Sequence, residues 1–275
     1  WKLPWGDVEP VSDLPAFDAR MQALHRSKPA GEPLFIWGYH QLWHGDMDKI
    51  RIHQVSDQRP IIVWHRSFHE LYMNDPAMSM AGIDPAQIKP GLQIDIDKGR
   101  FFELGLGFAI NRLNPWILAP EKYAQGLGRL KQVVHHGGHT SIGDLATGLF
   151  NLGAEAKALT EQLEGDNVPF RTRLVVHGTR LTQGGRKPEE GPALAADLLR
   201  HNSHRLSFSR HIKLFSDGAF FSQLAQMQEP GYIDGHHGEW LAAPEELERH
   251  IRAYWLAGYQ IHVHVTGDLG LELTL

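Results

Sequence analysis

The sequence predicts an α/β protein in which parallel strands alternate with helices through the second half, behind a first segment poorer in helices. Three observations carry this. From about residue 120 onward, strand-like and helix-like runs take turns, the pattern that yields parallel strands joined by right-handed crossovers. Two of those strand-like runs, His211–Ala219 and Gln260–Asp268, alternate apolar and polar residues and end in polar loops containing glycine. Residues 1–120 are instead rich in tryptophan, proline and short apolar runs.

The elements follow in order. A first helix is predicted from Asp13, a good N-cap, to about Ser27, with Phe17, Met21 and Leu24 on one face. Pro33–Trp37 and Pro60–Trp64 read as strands, and Ile83–Gly91 as a turn-rich connector. A helix-poor segment of this size is hard to fit into a regular alternating barrel, and the strand-like runs of residues 1–120 are expected in part to pair. Pro120 to about His135 is a helix, with Tyr123, Leu127, Leu130 and Val134 spaced for one face. Strand His139–Asp144, a helix through Gly153–Leu163 and strand Phe170–His177 come next. A helix in the Glu189–Asn202 region leads to strand His211–Asp217 and then to a long loop, Gln226–Glu239. Helix Pro244–Ala257 has Glu245 and Glu246 in its first turn and Gly258 as its stop. Strand Gln260–Thr266 closes the series. The four strands of residues 121–275 amount to half of an eight-stranded barrel.

Composition excludes several classes of function. A hydrophobic fraction of 42% with 21% charged residues is that of a globular domain able to bury a sizeable core. A net charge of −5 gives no electrostatic reason to bind nucleic acid or an anionic membrane. No apolar run approaches the roughly 20 residues that span a bilayer. No signal peptide is visible, and a cytoplasmic location is favoured, although a removed leader would leave no trace. With no cysteine, disulfides and thiolate ligands are ruled out. The 18 histidines and the carboxylates are then the available metal ligands.

The two diagnostic strands each turn one face towards helices. Ile212 and Leu214 alternate with Lys213 and Phe215; Ile261, Val263 and Val265 alternate with His262, His264 and Thr266. The polar faces suit the mouth of a barrel that holds a metal, or two buried strands whose polar groups only hydrogen-bond inside. Lys213-Leu-Phe-Ser-Asp-Gly-Ala219 followed by His264-Val-Thr-Gly-Asp268 resembles the metal-dependent amidohydrolase superfamily, in detail its YtcJ-like (amidohydrolase 3) branch. Further segments in the same order resemble that branch: Trp37-Gly-Tyr-His40 with Trp43, Arg59-Pro-Ile-Ile-Val-Trp64, His69-Glu-Leu-Tyr-Met-Asn74 and Gly137-Gly-His-Thr-Ser-Ile-Gly-Asp144.

The resemblance implies a partial TIM barrel, strands two to five, behind a cap inserted after the first strand. The chain would then be an internal fragment of a longer protein. It lacks the opening His-x-His strand, the sixth-strand histidine and the eighth-strand aspartate. The implied activity is hydrolysis of a carbon–nitrogen bond in a small amide-type molecule by water activated on one or two divalent ions, zinc above all. The resemblance makes Lys213 a carboxylated metal ligand, whose neutral amine captures carbon dioxide; otherwise it is a buried lysine paired with Asp217 or another acid. It makes His264 a second ligand, or else a satisfied core histidine, the role expected of His262. His69 and Asp217 are candidates for substrate binding, the first alternatively an ordinary loop residue and the second a turn cap. Asp268 would orient the loop or a ligand from behind. The loop Asp234-Gly-His-His-Gly-Glu239 looks like a metal cluster but reads better as a surface loop, its glycines suited to a mobile flap. With so few ligands the chain alone is expected to be inactive. A non-catalytic binding or regulatory protein on a degenerate barrel is the alternative, and deamination or lactone hydrolysis stays open because fold does not fix reaction. The open sheet edges invite a homodimer or a covering segment.

Overall fold

The computed structural model describes residues 11–275 and, ahead of them, a two-residue antiparallel ladder of Lys2–Leu3 with Gly6–Asp7; the rest of residues 1–10 lies outside the described residues. Two sheets organise the chain. The first has five strands: β1 (Leu34–Tyr39), β2 (Ile61–His65), β3 (Glu70–Met73), β4 (Ile94–Asp95) and β5 (Arg100–Phe102), in the order β1-β2-β3-β5-β4. Only β1 and β2 run parallel; the other pairs are antiparallel. The second has four: β6 (Ser141–Thr147), β7 (Arg171–His177), β8 (Leu206–Phe215) and β9 (Gln260–His264), in the order β9-β8-β7-β6, all parallel. Alternation of strands with helices after residue 120 thus produces the parallel sheet it predicts.

Helix Leu14–Ser27 starts where Asp13 accepts a hydrogen bond from the Ala16 N–H at 2.9 Å, and it buries Phe17 and Met21. Two motif residues hold the first sheet to its surroundings. The Arg59 guanidinium donates to the carbonyls of Lys28, Pro29 and Glu32, which fastens the end of that helix to the start of β2. Asn74, wholly buried, accepts from the N–H groups of Ile61 and Ala77 and donates to the carbonyls of Ser56 and Arg59.

Helix content before residue 120 exceeds the expectation. Leu104–Ile117 is a 14-residue helix, although Gly105, Gly107 and Pro115 lower its intrinsic propensity. Burial decides: Leu106, Ala109, Ile110 and Leu113 form one stripe against Ile62, Leu71, Met73 and Phe101 of the first sheet. Strand β8 begins five residues before its predicted start, with a register break between Phe208 and Ile212 that a sequence pattern does not reveal.

One face of the parallel sheet is its core face. Ile212 and Leu214 are fully buried there with Val176, Leu247 and Tyr254, and the Tyr254 hydroxyl donates to the Gly178 carbonyl at 3.0 Å. That fixes Lys213 and Phe215 on the opposite face. Among the described residues no helix is long and apolar enough to cross a membrane.

Replacing Asn74 by alanine strands the buried Ile61 N–H and the carbonyls of Ser56 and Arg59, while the Ala77 N–H keeps the backbone carbonyl of residue 74. Urea unfolding should show a loss of about 2–4 kcal/mol, with no change in the slope of the transition.

Candidate functional site

Parallel register decides which side chains meet. Lys213 lies opposite His177 on β7 and His262 on β9, and Phe215 lies opposite His264. All five share one face. Phe215 is the middle of the group: its ring centroid is 4.8 Å from that of His177 and 5.4 Å from that of His264, and the Lys213 ammonium sits 5.0 Å over it. His262 pairs instead with His211, nitrogen to nitrogen at 2.9 Å, with the rings stacked.

The first sheet brings its own residues to this face. His69, just before β3, stacks on His264 with centroids 5.0 Å apart. Its Nδ1 lies 3.0 Å from both carboxylate oxygens of Glu103. Glu103 carries no motif signal in the sequence, yet its backbone shows that it is held for a reason. With φ 45° and ψ −107° it occupies a region that costs a non-glycine residue about 1–3 kcal/mol. Gly218, in the loop after Lys213, leaves room for that carboxylate: a Cβ there would collide with Glu103 Oε1. Burial pushes the Glu103 carboxyl up, and the bond from His69 opposes it.

Beside these groups opens a cavity of about 310 Å³, lined by Phe68, His69, Glu103, His177, Arg180 and Phe215 among others. That is at the small end for a ligand pocket. Phe68 also has positive φ, 70°, so two backbone-strained residues line one cavity.

Buried polar atoms without partners mark the same place. Neither Nε2 of His264 nor Nδ1 of His177 has a hydrogen-bond partner. Burial pushes the His264 imidazole down to about 4 and that of His177 down to about 3, and it lowers the Lys213 ammonium too. Neutral imidazole is a donor a divalent ion takes, whereas an ammonium has no lone pair to give; the lowered pKa of Lys213 only makes its neutral amine easier to reach. Of the two ligands expected from the sequence, His264 offers a buried neutral nitrogen without a partner, and Lys213 shares its face one layer away. A full set is not assembled: among the described residues no three His, Asp or Glu side chains converge on one point.

Asp217 is not paired with Lys213. Its fully buried carboxylate accepts from the backbone N–H groups of Gln226, Thr266 and Gly267, at 2.9, 2.9 and 2.7 Å. Asp268 is exposed and accepts from the Gln228 N–H at 2.9 Å, so it fastens the long loop to the end of β9. That loop is stitched down at its histidines. His236 bridges Asp234 and the Gln223 carbonyl, and His237 faces the Met227 carbonyl.

No protein-family model matches the chain. It is similar to the exoenzymes regulatory protein AepA of Pectobacterium carotovorum subsp. carotovorum, 25% identical over 232 residues, which is 78% of this chain and 46% of that protein. It is also similar in structure to an uncharacterized metal-dependent hydrolase from Pyrococcus horikoshii OT3. There the TM-score is 0.60 and the identity 19%, over 96% of this chain and 50% of the hydrolase. A second uncharacterized metal-dependent hydrolase, from Pyrococcus furiosus, gives a TM-score of 0.55 and 21% identity over 98% and 52%.

His65, His177 and His264 tie stability to pH. Desolvation holds their folded values at about 3, 3 and 4, while the unfolded rings titrate near 6.5. The unfolded chain thus takes up protons that the folded one refuses. Their contribution is complete above about pH 6.5 and is lost as pH falls towards 4 and 3. Urea midpoints should drop across that window, and His177→Phe should make the drop shallower. The chain spans about half the length of each relative, and what the likeness to the two hydrolases establishes is a shared α/β fold.

Proposed function

We propose that this chain carries part of the active centre of a metal-dependent hydrolase acting on carbon–nitrogen bonds of a small, amide-type molecule. The observation that carries the reading is the face shared by Lys213 and His264 on adjacent parallel strands, where a buried imidazole nitrogen lacks any partner beside a cavity. The fold shared with two metal-dependent hydrolases supports it. So does the order of the motif segments, with β6 to β9 taken as strands two to five of a TIM barrel and residues 1–120 as its cap.

In this reading Lys213, as its carbamate, and His264 hold one or two divalent ions, zinc best matching imidazole and carboxylate-like oxygen. Such an ion supplies Lewis acidity at the mouth of the cavity. The other residues have separable tasks. Glu103 fixes the ring of His69, which faces the substrate from the cap side. Asp217 serves the site by setting the backbone of the loops after β8 and β9, through the N–H groups it gathers rather than by contact with substrate. Asp268 holds the long loop against the site. Apolar walls of Phe68, Leu106 and Phe215 exclude water.

One observation favours a second reading. With no third His, Asp or Glu ligand among the described residues, a non-catalytic binding or regulatory protein keeps the fold and loses the chemistry; AepA, the curated relative, is named as a regulatory protein.

Zinc bound per chain, measured by equilibrium dialysis with elemental analysis, separates the two. The hydrolase reading expects bound zinc that Lys213→Met lowers at least tenfold, and turnover of amides only when the missing ligands are supplied by a further chain. Zinc binding indifferent to Lys213→Met and to His264→Ala would sink it.

A further inference from the structure

The face that carries Lys213 and His264 extends towards the N-terminal ends of the strands, and there the strands offer cations and neutral groups but no acid. Side chains alternate along β7, so Leu174 and Val176 enter the core, while Arg171 and Arg173 share the opposite face with His177. Their register neighbours are Ser141 and Gly143 on β6 and Ser207 on β8, none of which carries charge. Both arginines are exposed, and among the described residues no carboxylate pairs with either. The single acid of the four strands, Asp144, is in register with Leu174 and so belongs to the core face; its oxygens accept from the Ala146 N–H and the Thr147 hydroxyl. Nearer the cavity, burial, His262 and Arg173 together hold the His211 imidazole below its usual range, and burial alone lowers the Lys213 ammonium, with no acid opposing in either case. Arg171 and Arg173 are two positions apart on one strand, about 6.6 Å along it. That is inside the screening length of about 8 Å at physiological salt. Their fields therefore add, on a chain whose net charge is −5. Leu145 follows the same alternation as Ser141 and Gly143 and, 49% exposed, sets an apolar side chain beside them on β6.

We propose that this cationic strip docks an acidic polypeptide segment in extended conformation, with carboxylates at alternate positions. An extended chain puts every second side chain on one face, at the spacing that separates Arg171 from Arg173. Two carboxylates two residues apart thus meet both guanidinium groups, each through a pair of parallel hydrogen bonds. Neutral Ser141, Gly143 and Ser207 flank the arginines and leave them room to turn towards the segment. A nucleic acid fits the strip less well, because its phosphates continue past two arginines onto a chain that is acidic as a whole. The docking surface is separate from the proposed chemistry: Arg173 stands four residues before His177 on β7, and the assignment does not rest on a metal being bound.

The test is fluorescence anisotropy with two labelled peptides, Ser-Glu-Val-Glu-Val-Glu-Ser and its glutamine counterpart, and a labelled single-stranded DNA oligomer. At low salt the glutamate peptide is expected to bind at least about tenfold more tightly than the glutamine peptide, an advantage that added salt diminishes. The double variant Arg171→Gln with Arg173→Gln should erase the advantage while the circular dichroism stays unchanged. Arg249→Gln with Arg252→Gln should leave it intact, since those arginines of the helix Pro244–Leu256 are already paired with Glu189 and Glu248. Equal affinities for the two peptides, an advantage that survives the double variant at Arg171 and Arg173, or no binding of either peptide at millimolar concentration would each overturn the assignment. Tighter binding of the DNA oligomer than of the glutamate peptide would overturn it too, in favour of a nucleic-acid surface.

Discussion

The carboxylate of Asp217 is the constraint on which the site depends. It lies at the end of β8, fully buried, and gathers backbone N–H groups from Gln226 in the following loop and from Thr266 and Gly267 beyond β9. A carboxylate stripped of water is tolerated only when its lone pairs are met by donors, and hydrogen bonds to a charged group are worth about 1.5–3 kcal/mol each. Three such bonds knot the ends of two neighbouring strands to one another. The glycines nearby follow from that knot. A Cβ on Gly270 would press on the carboxylate, and one on Gly267 would collide with the backbone of Gln226. Lys213 and His264 are thereby fixed on the upper part of one face, and the loop carrying Gly218 keeps clear of Glu103.

Around this knot the two sheets divide the work. The parallel sheet provides Lys213, His177 and His264 in layers set by register. The first sheet contributes His69 and Glu103, which meet the layers from outside. Phe215 keeps His177 and His264 on either side of its own ring. The three polar groups therefore surround an aromatic side chain rather than one another, and among the described residues no three His, Asp or Glu side chains converge on one point.

Much of this was legible beforehand, and the boundary of legibility is physical. Periodicity locates β7, β8 and β9 and the helix Pro244–Leu256, because each has one buried face against helices or sheet. The alternation around Lys213 and His264 gives their common face directly. The helix Leu104–Ile117 was not legible, since its glycines and proline argue against a helix and only the packing of Leu106, Ile110 and Leu113 on the first sheet overrides them. Glu103 escaped for a different reason. Its importance lies in a positive φ and a long-range bond to His69, neither of which leaves a local pattern. Arg59 and Asn74, by contrast, stand out as motif residues, and their side chains are spent on main-chain groups of the first sheet. A motif can thus mark architecture as readily as chemistry.

The two left-handed residues on the cavity wall, Phe68 and Glu103, set evolutionary drift against function. At both positions glycine is the residue the backbone favours, so exchange for glycine relieves torsional strain while deleting either the ring that stacks on Trp64 or the carboxylate that holds His69. At Phe68 the ring packs against the core of the first sheet, so the exchange forfeits more than the torsion returns; at Glu103 the carboxylate is itself desolvated, so glycine there relieves both costs and frees the ring of His69.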